Sequence, residues 1–227
     1  MQRGKTVGVI GGMGPAATVE FFRRLVAATP AEADQDHLHV IIDSDPSVPD
    51  RTAGILGRGE DPLPALVSMA RRLKVAGADF LVVPCNTAHH YLSAIRDTVG
   101  IPILDMPAEA AARIDQTPLG LLATDGTIAT EVYQRAFSER GIELIIPARE
   151  DQSAVMRVIE GIKKGEDPST FTGEIASIVS RLAGAKGVIA GCTEISLIDG
   201  DMMPLPWIDP LDALVAATIR EGLKEDG

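Results

Sequence analysis

The run Phe80-Leu81-Val82-Val83-Pro84-Cys85-Asn86-Thr87 decides how the rest of this chain is read. Four successive apolar residues read as a buried strand, and the segment after them, Thr87 to Val99, repeats apolar residues at Ala88, Tyr91, Leu92 and Ile95 with helical spacing. Cys85 therefore falls in a strand-to-helix turn. Backbone N–H groups and the helix dipole at such a turn favour a thiolate, and a depressed pKa is what equips a cysteine as a base or nucleophile. The chain has one other cysteine, in the same setting: Gly187-Val188-Ile189-Ala190 runs into Gly191-Cys192-Thr193-Glu194.

Working outward, strand and helix patterns alternate. Val7-Gly8-Val9-Ile10 leads through Gly11-Gly12-Met13-Gly14-Pro15 to a helix over 16–28, and a second strand over 38–42 opens onto the polar loop 43–52. Asp61 and Pro62 start a helix with an apolar stripe at Leu63, Leu66, Val67, Ala70 and Leu73, closed by Gly77. After the Cys85 segment comes a strand over 101–105. The second half reads as strand 119–123, turn 124–127, a helix through Ile128, Val132, Ala136 and Phe137, strand 142–146, and a helix from Asp151 that ends at Lys163-Lys164-Gly165. A helix over 171–182, the Cys192 strand and turn, strand 205–208 and a last helix from Leu211 complete it. Alternation of this kind implies an α/β fold of parallel sheets.

The two halves repeat each other. Val7 to Arg23 matches Leu119 to Arg135 at an offset of 112, Cys85 matches Cys192 at 107, and Pro102-Ile103-Leu104-Asp105 matches Pro206-Trp207-Ile208-Asp209 at 104. Three matches in one order predict two similar parallel-sheet α/β halves related by a pseudo-two-fold axis. The expected division is 1–105 and 106–209, with helix 210–227 packing back on the first half. Parallel sheets place functional groups beyond the carboxyl ends of their strands, so both cysteine turns should open onto one cleft between the halves.

Composition narrows the partners. With 21 Lys+Arg against 32 Asp+Glu the net charge is −11, which argues against nucleic acid and anionic membrane surfaces. No apolar run reaches the roughly 20 residues of a membrane span, and residues 1–6 pass straight into a strand pattern without a signal-like core. A cytoplasmic chain with reduced thiols is the expectation. Metal ligation is not expected, because there is no Cys-x-x-Cys pair and only four histidines. His89 and His90 read as surface residues at a helix start.

Two thiols facing one cleft specify a reaction. One removes a proton from one face of a carbon while the other delivers a proton to the opposite face, and groups of similar pKa suit a reaction that runs both ways. Two adjacent thiolates repel, so the pair should titrate in a coupled way. Arg51, in a polar loop, offers a planar fork that matches a carboxylate.

At Gly11-Gly12-Met13-Gly14-Pro15, Pro49-Asp50-Arg51-Thr52, Pro84-Cys85-Asn86-Thr87-Ala88-His89, Asp125-Gly126-Thr127 and Gly191-Cys192-Thr193-Glu194 the chain resembles the aspartate/glutamate racemase family, in its aspartate racemase branch. The likeness spans nearly the whole length. It implies an amino-acid racemase, for aspartate first and glutamate or a broader set second, that uses no cofactor, works through Cys85 and Cys192, and is commonly a homodimer. It also implies substrate contacts from Met13, Arg51, Asn86, Thr87, Thr127, Thr193 and Glu194, and from Lys163 in an Ile-Lys-x-Gly register, with Lys164 adjacent. The glutamate branch carries Asp-Ser-Gly at the first turn and Cys-Thr-His at the second, where this chain has Gly11-Gly12-Met13 and Glu194.

Other readings compete. A family relative that decarboxylates or isomerises a double bond would use the same cleft. Gly12-x-Gly14-x-x-Ala17 also fits a dinucleotide fingerprint, with Asp43 as the ribose acid of an oxidoreductase. Asp43 stands 31 positions beyond Gly12 instead of about 20, and that reading gives the paired cysteines no task.

Overall fold

The computed structural model describes residues 4–224. Two parallel sheets form, one in each half. Strands β1 (Val7–Gly11), β2 (Val40–Ser44) and β3 (Phe80–Val82) make the first, in the order β2-β1-β3. Strands β4 (Leu119–Ala123), β5 (Leu144–Ile145), β6 (Val188–Gly191) and β7 (Trp207–Ile208) make the second, in the order β5-β4-β6-β7. Every residue of β1 and β4 is buried, as parallel strands covered by helices on both faces require.

The expected strand over 101–105 shrinks to a single bridge between Leu81 and Ile103, flanked by Leu81 N–H to Pro102 O (2.8 Å) and Leu104 N–H to Leu81 O (3.0 Å). Pro102 has no N–H to extend the ladder, and β3 is only three residues long. Its counterpart in the second half is β7, so the two sheets share one order.

Helix α1 (Pro15–Ala28) takes proline in its first turn and buries Ala17, Thr18, Phe21 and Leu25. The loop 43–52 ends earlier than the sequence suggests: Asp50 accepts a hydrogen bond from Ala53 N–H (2.8 Å) and starts α2 (Arg51–Ile55), so Arg51 opens a helix. Helix α3 (Leu63–Val75) buries Leu66, Met69, Ala70 and Leu73. The segment after Cys85 is a 3₁₀ turn, Thr87–Tyr91, followed by α4 (Leu92–Val99). Helix α5 (Met106–Ala111), absent from the sequence reading, is capped by Asp105. The helix expected through 128–137 is broken into α6 (Asp125–Ala129) and α7 (Val132–Ser138) by Glu131, whose φ of 55° lies in the left-handed region. Helices α8 (Arg149–Lys163), α9 (Thr172–Ser180) and α10 (Pro210–Gly222) follow; the last of these is the helix expected over 210–227, of which 225–227 lie outside the described residues.

Helix α10 lies across both halves. Leu211, Leu214 and Val215 pack with Val7, Val9, Phe21 and Phe80 of the first sheet, while Ala213 packs with Leu119, Leu121 and Ile189 of the second. Lys5 N–H donates to Gly222 O (2.9 Å), tying the start of the first half to the end of this helix. Among the described residues no helix is long and apolar enough to cross a membrane.

Candidate active site

The carboxyl ends of both sheets meet at one small cavity of about 10 Å³. From the first half it is lined by Met13, Arg51, Cys85, Asn86 and Thr87, and from the second by Lys163, Cys192, Thr193 and Glu194. Every site residue named from sequence is therefore here except Thr127. The cavity is also lined by Asp50, Thr52 and Thr124, which the sequence reading did not single out. A space of this size holds one water and no amino acid. Beside it lies a cavity of about 420 Å³ that shares Met13, Asp50, Arg51, Lys163, Thr193 and Glu194 with it.

Cys85 follows β3, its N–H donating to Val83 O (2.8 Å), and it is buried. His89 holds the turn from behind. Nδ1 lies 2.8 Å from Cys85 O, and Met106 N–H donates to Nε2 (3.1 Å), so Nδ1 carries the proton of a neutral ring. Burial pushes the His89 imidazole below its usual range. His89 is thus a buried strut and not a surface residue, whereas His90 is exposed.

Cys192 follows β6. Its Sγ–H donates to Glu194 Oε2 (2.9 Å), with Thr193 Oγ1 at 3.4 Å from the same oxygen. Burial, reinforced by the Glu194 carboxylate, pushes the Cys192 thiol well above the ordinary range, and nearby Lys163 only partly offsets this. The depressed pKa expected of such a turn is not found at Cys192. Desolvation and a like charge outweigh the N–H groups there, and the resting form is the thiol.

Two cations face this centre. Arg51 Nη1 donates to Val48 O (3.2 Å) and Pro49 O (3.1 Å), and Nη2 to Met13 O (3.3 Å), while its buried Nε has no hydrogen-bond partner among the described residues. Lys163 Nζ stands 3.7 Å from Asp50 Oδ2. Burial opposes its charge, but the surrounding Cys192, Glu194 and Asp50 prevail and hold the ammonium above the usual lysine range. Behind the cavity, Thr87, Thr124 and Thr127 form a closed triangle of hydroxyls at 2.9–3.0 Å, which joins the first half to the second. Thr127 is fully buried there, and Thr124 presents the cavity face.

The glycine turn before α1 serves its own backbone. Gly12 has φ of 90°, and a Cβ on it would lie 2.5 Å from the Asp45 backbone. Gly126 lets the halves touch, because a Cβ there would come 2.9 Å from Thr52 Cα.

The model of the family described as Asp/Glu/hydantoin racemase matches residues 10–218. The chain belongs to that family. An aspartate racemase of Picrophilus torridus is similar in structure, with a TM-score of 0.87 and 31% identity over 96% of this chain and 94% of that one. The broad specificity amino-acid racemase RacX of Bacillus subtilis is 26% identical over 223 residues, covering 94% of this chain and 96% of that protein. A glutamate racemase isoform of Bacillus anthracis shares the two-sheet fold, with a TM-score of 0.67 at 19% identity. This racemase-family chain is accordingly an enzyme, an isomerase of the pyridoxal-phosphate-independent amino-acid racemase type. The dinucleotide reading of Gly12 and Gly14 gives way to that assignment.

Proposed function

We propose that the chain racemises aspartate by two-base proton transfer at the α-carbon, with Cys85 on one face and Cys192 on the other. The observation that carries this is the convergence of both thiols on one cavity together with Arg51 and Lys163. A dicarboxylic amino acid suits two cations, with Glu194 or Asp50 left for its ammonium group. Met13, Asn86, Thr87 and Thr193 complete the enclosure, and Thr127 contributes through Thr87. When Cys85 removes the α-proton as thiolate, the Cys192 thiol is already in the protonation state that delivers the second proton. In the reverse direction Cys192 must give up its proton, and Glu194, which accepts its Sγ–H, is the group to receive it.

The similarity to the Picrophilus aspartate racemase favours aspartate over glutamate, while the Bacillus RacX likeness makes a wider panel the right test. Circular dichroism of L-aspartate, L-glutamate and several neutral amino acids incubated with the enzyme decides it. Loss of optical rotation with aspartate at the highest kcat/KM supports the reading, and none with any amino acid overturns it. We also infer a cytoplasmic homodimer. Both cysteines are free thiols, and Val19, Phe22 and Val26 form an exposed apolar stripe on α1 suited to a partner face. A monomer in sedimentation equilibrium would refute the dimer.

A further inference from the structure

Asn86 is the one asparagine in the 227 residues, and it sits between Cys85 and the Thr87 hydroxyl triangle. Its side-chain oxygen is oriented from across the cleft. Tyr133 Oη, on α7 of the opposite half, donates a hydrogen bond to Asn86 Oδ1. That bond turns the amide oxygen toward Tyr133, which leaves the N–H₂ group on the opposite side of the amide for the cavity that Asn86 lines.

The internal repeat supplies a control for why a tyrosine stands there. At the offset of 112 the counterpart of Tyr133 is Phe21, and both rings are fully buried. The fold therefore packs well with a bare phenyl ring at this position. Tyr133 packs with Phe137, ring centroids 5.8 Å apart, as a phenylalanine would. Packing leaves the hydroxyl unexplained, and the Asn86 bond explains it.

We propose that Tyr133 is a positioning residue of this active site, its hydroxyl fixing Asn86 so that the amide N–H₂, and not the oxygen, faces the substrate carboxylate beside Cys85. The phenol is suited to the task because burial holds it protonated far above the usual tyrosine range, so it remains a donor at every working pH. As the α-proton leaves, charge develops on the carboxylate oxygens, and a fixed donor is worth more then than in the ground state. Without the hydroxyl the amide is free to turn its oxygen toward that charge.

The inference rests on the racemase reading of the cleft, and its test separates the two. Tyr133→Phe should lower kcat for L-aspartate about tenfold or more, with KM changed less than threefold and the melting temperature within a few degrees. Asn86→Ala should cost at least as much, and adding Tyr133→Phe to Asn86→Ala should cost nothing further, because Tyr133 acts only through Asn86. Asn86→Asp keeps an acceptor for Tyr133 but has no amide donor, so it should be as impaired as Asn86→Ala even if Tyr133→Phe folds poorly. Protein labelled with ¹⁵N-asparagine gives a single side-chain amide pair, which reads the clamp in the absence of turnover. That pair should shift and exchange faster with solvent in Tyr133→Phe, and should respond to added L-aspartate in the wild type. Wild-type kcat in Tyr133→Phe or Asn86→Asp, an equal loss from Tyr133→Phe with and without Asn86, or an unchanged amide signal each overturns the proposal. A wild-type enzyme that neither racemises nor binds aspartate, glutamate or any neutral amino acid of the panel, with the amide signal still sensitive to Tyr133→Phe, would instead refute the racemase reading and leave the clamp standing.

Discussion

Replacing Arg51 with lysine keeps the charge and removes the fork. Three backbone carbonyls, of Val48, Pro49 and Met13, take their hydrogen bonds from its two terminal nitrogens at 3.1–3.3 Å, and the buried Nε remains unpaired. A lysine ammonium is a point donor on a flexible stem and cannot hold three carbonyls while also meeting an anion. At these lengths the carbonyl bonds are worth about 1 kcal/mol each, so losing two costs about 2 kcal/mol of stability. A bidentate carboxylate contact reduced to a single one loses about 1.5–3 kcal/mol, roughly a 13- to 160-fold fall in kcat/KM. A side-chain carboxylate gains no charge as the α-proton leaves and is bound in ground and transition states alike, so the loss at Arg51 should appear chiefly in KM. Steady-state racemisation of aspartate followed by circular dichroism, with a thermal melt of the same sample, measures both. A folded Arg51→Lys protein with kcat/KM within threefold of wild type would refute the role given to Arg51.

Alanine at Cys85 or at Cys192 should abolish racemisation without unfolding the protein, and full activity in either variant, seen in the same assay, would defeat the two-base scheme. Thr127→Val should cost about 1 kcal/mol, a fall of roughly 2–4 °C in Tm, because Thr87 and Thr124 keep their own bond. KM should stay within threefold, and a tenfold rise in KM at unchanged Tm would put Thr127 on the substrate. The Arg23 hydrogen bond, with support from Arg24, holds the Glu20 carboxyl down at about 2. Its folded pKa lies below the ordinary value, so its contribution to stability is present above about pH 4.5 and fades as the pH falls toward 2. Glu20→Gln should lack that component in urea melts across this window, and an unchanged pH dependence would contradict the assignment.

Much of this design was legible because it is written in local pattern. Buried parallel strands read as apolar runs, and the spacing of Cys85 and Cys192 within repeated strand-and-turn units was enough to place both thiols at one cleft. What escaped were pairings between distant residues. Tyr133 and Asn86 are 47 positions apart, and no period along the chain links them. His89 passed for a surface residue because its partners, the carbonyl of Cys85 and the N–H of Met106, converge only once the chain has turned back on itself. The short elements show a different cause. Helix α5 has too few turns to display a period, although Asp105 as cap with Pro107 in the first turn was a usable signal. Asp50 and Thr124 serve as helix caps and also line the cavity, so reading caps as candidate site residues would have found both. The pKa expectation for Cys192 failed on a magnitude that sequence does not carry, the desolvation of a thiol beside a carboxylate.

The origin of the second proton tests the account most directly. If Cys85 and Cys192 each serve one face, the proton delivered to the inverted centre comes from a thiol in equilibrium with solvent and not from the substrate. With L-aspartate in D₂O, mass spectrometry of the first D-aspartate formed should show deuterium at the α-carbon in essentially every molecule, while unreacted L-aspartate at the earliest times still carries protium. Substantial protium at the α-carbon of that first D-aspartate would mean that one group shuttles a single proton between the faces, and would contradict the two-cysteine mechanism.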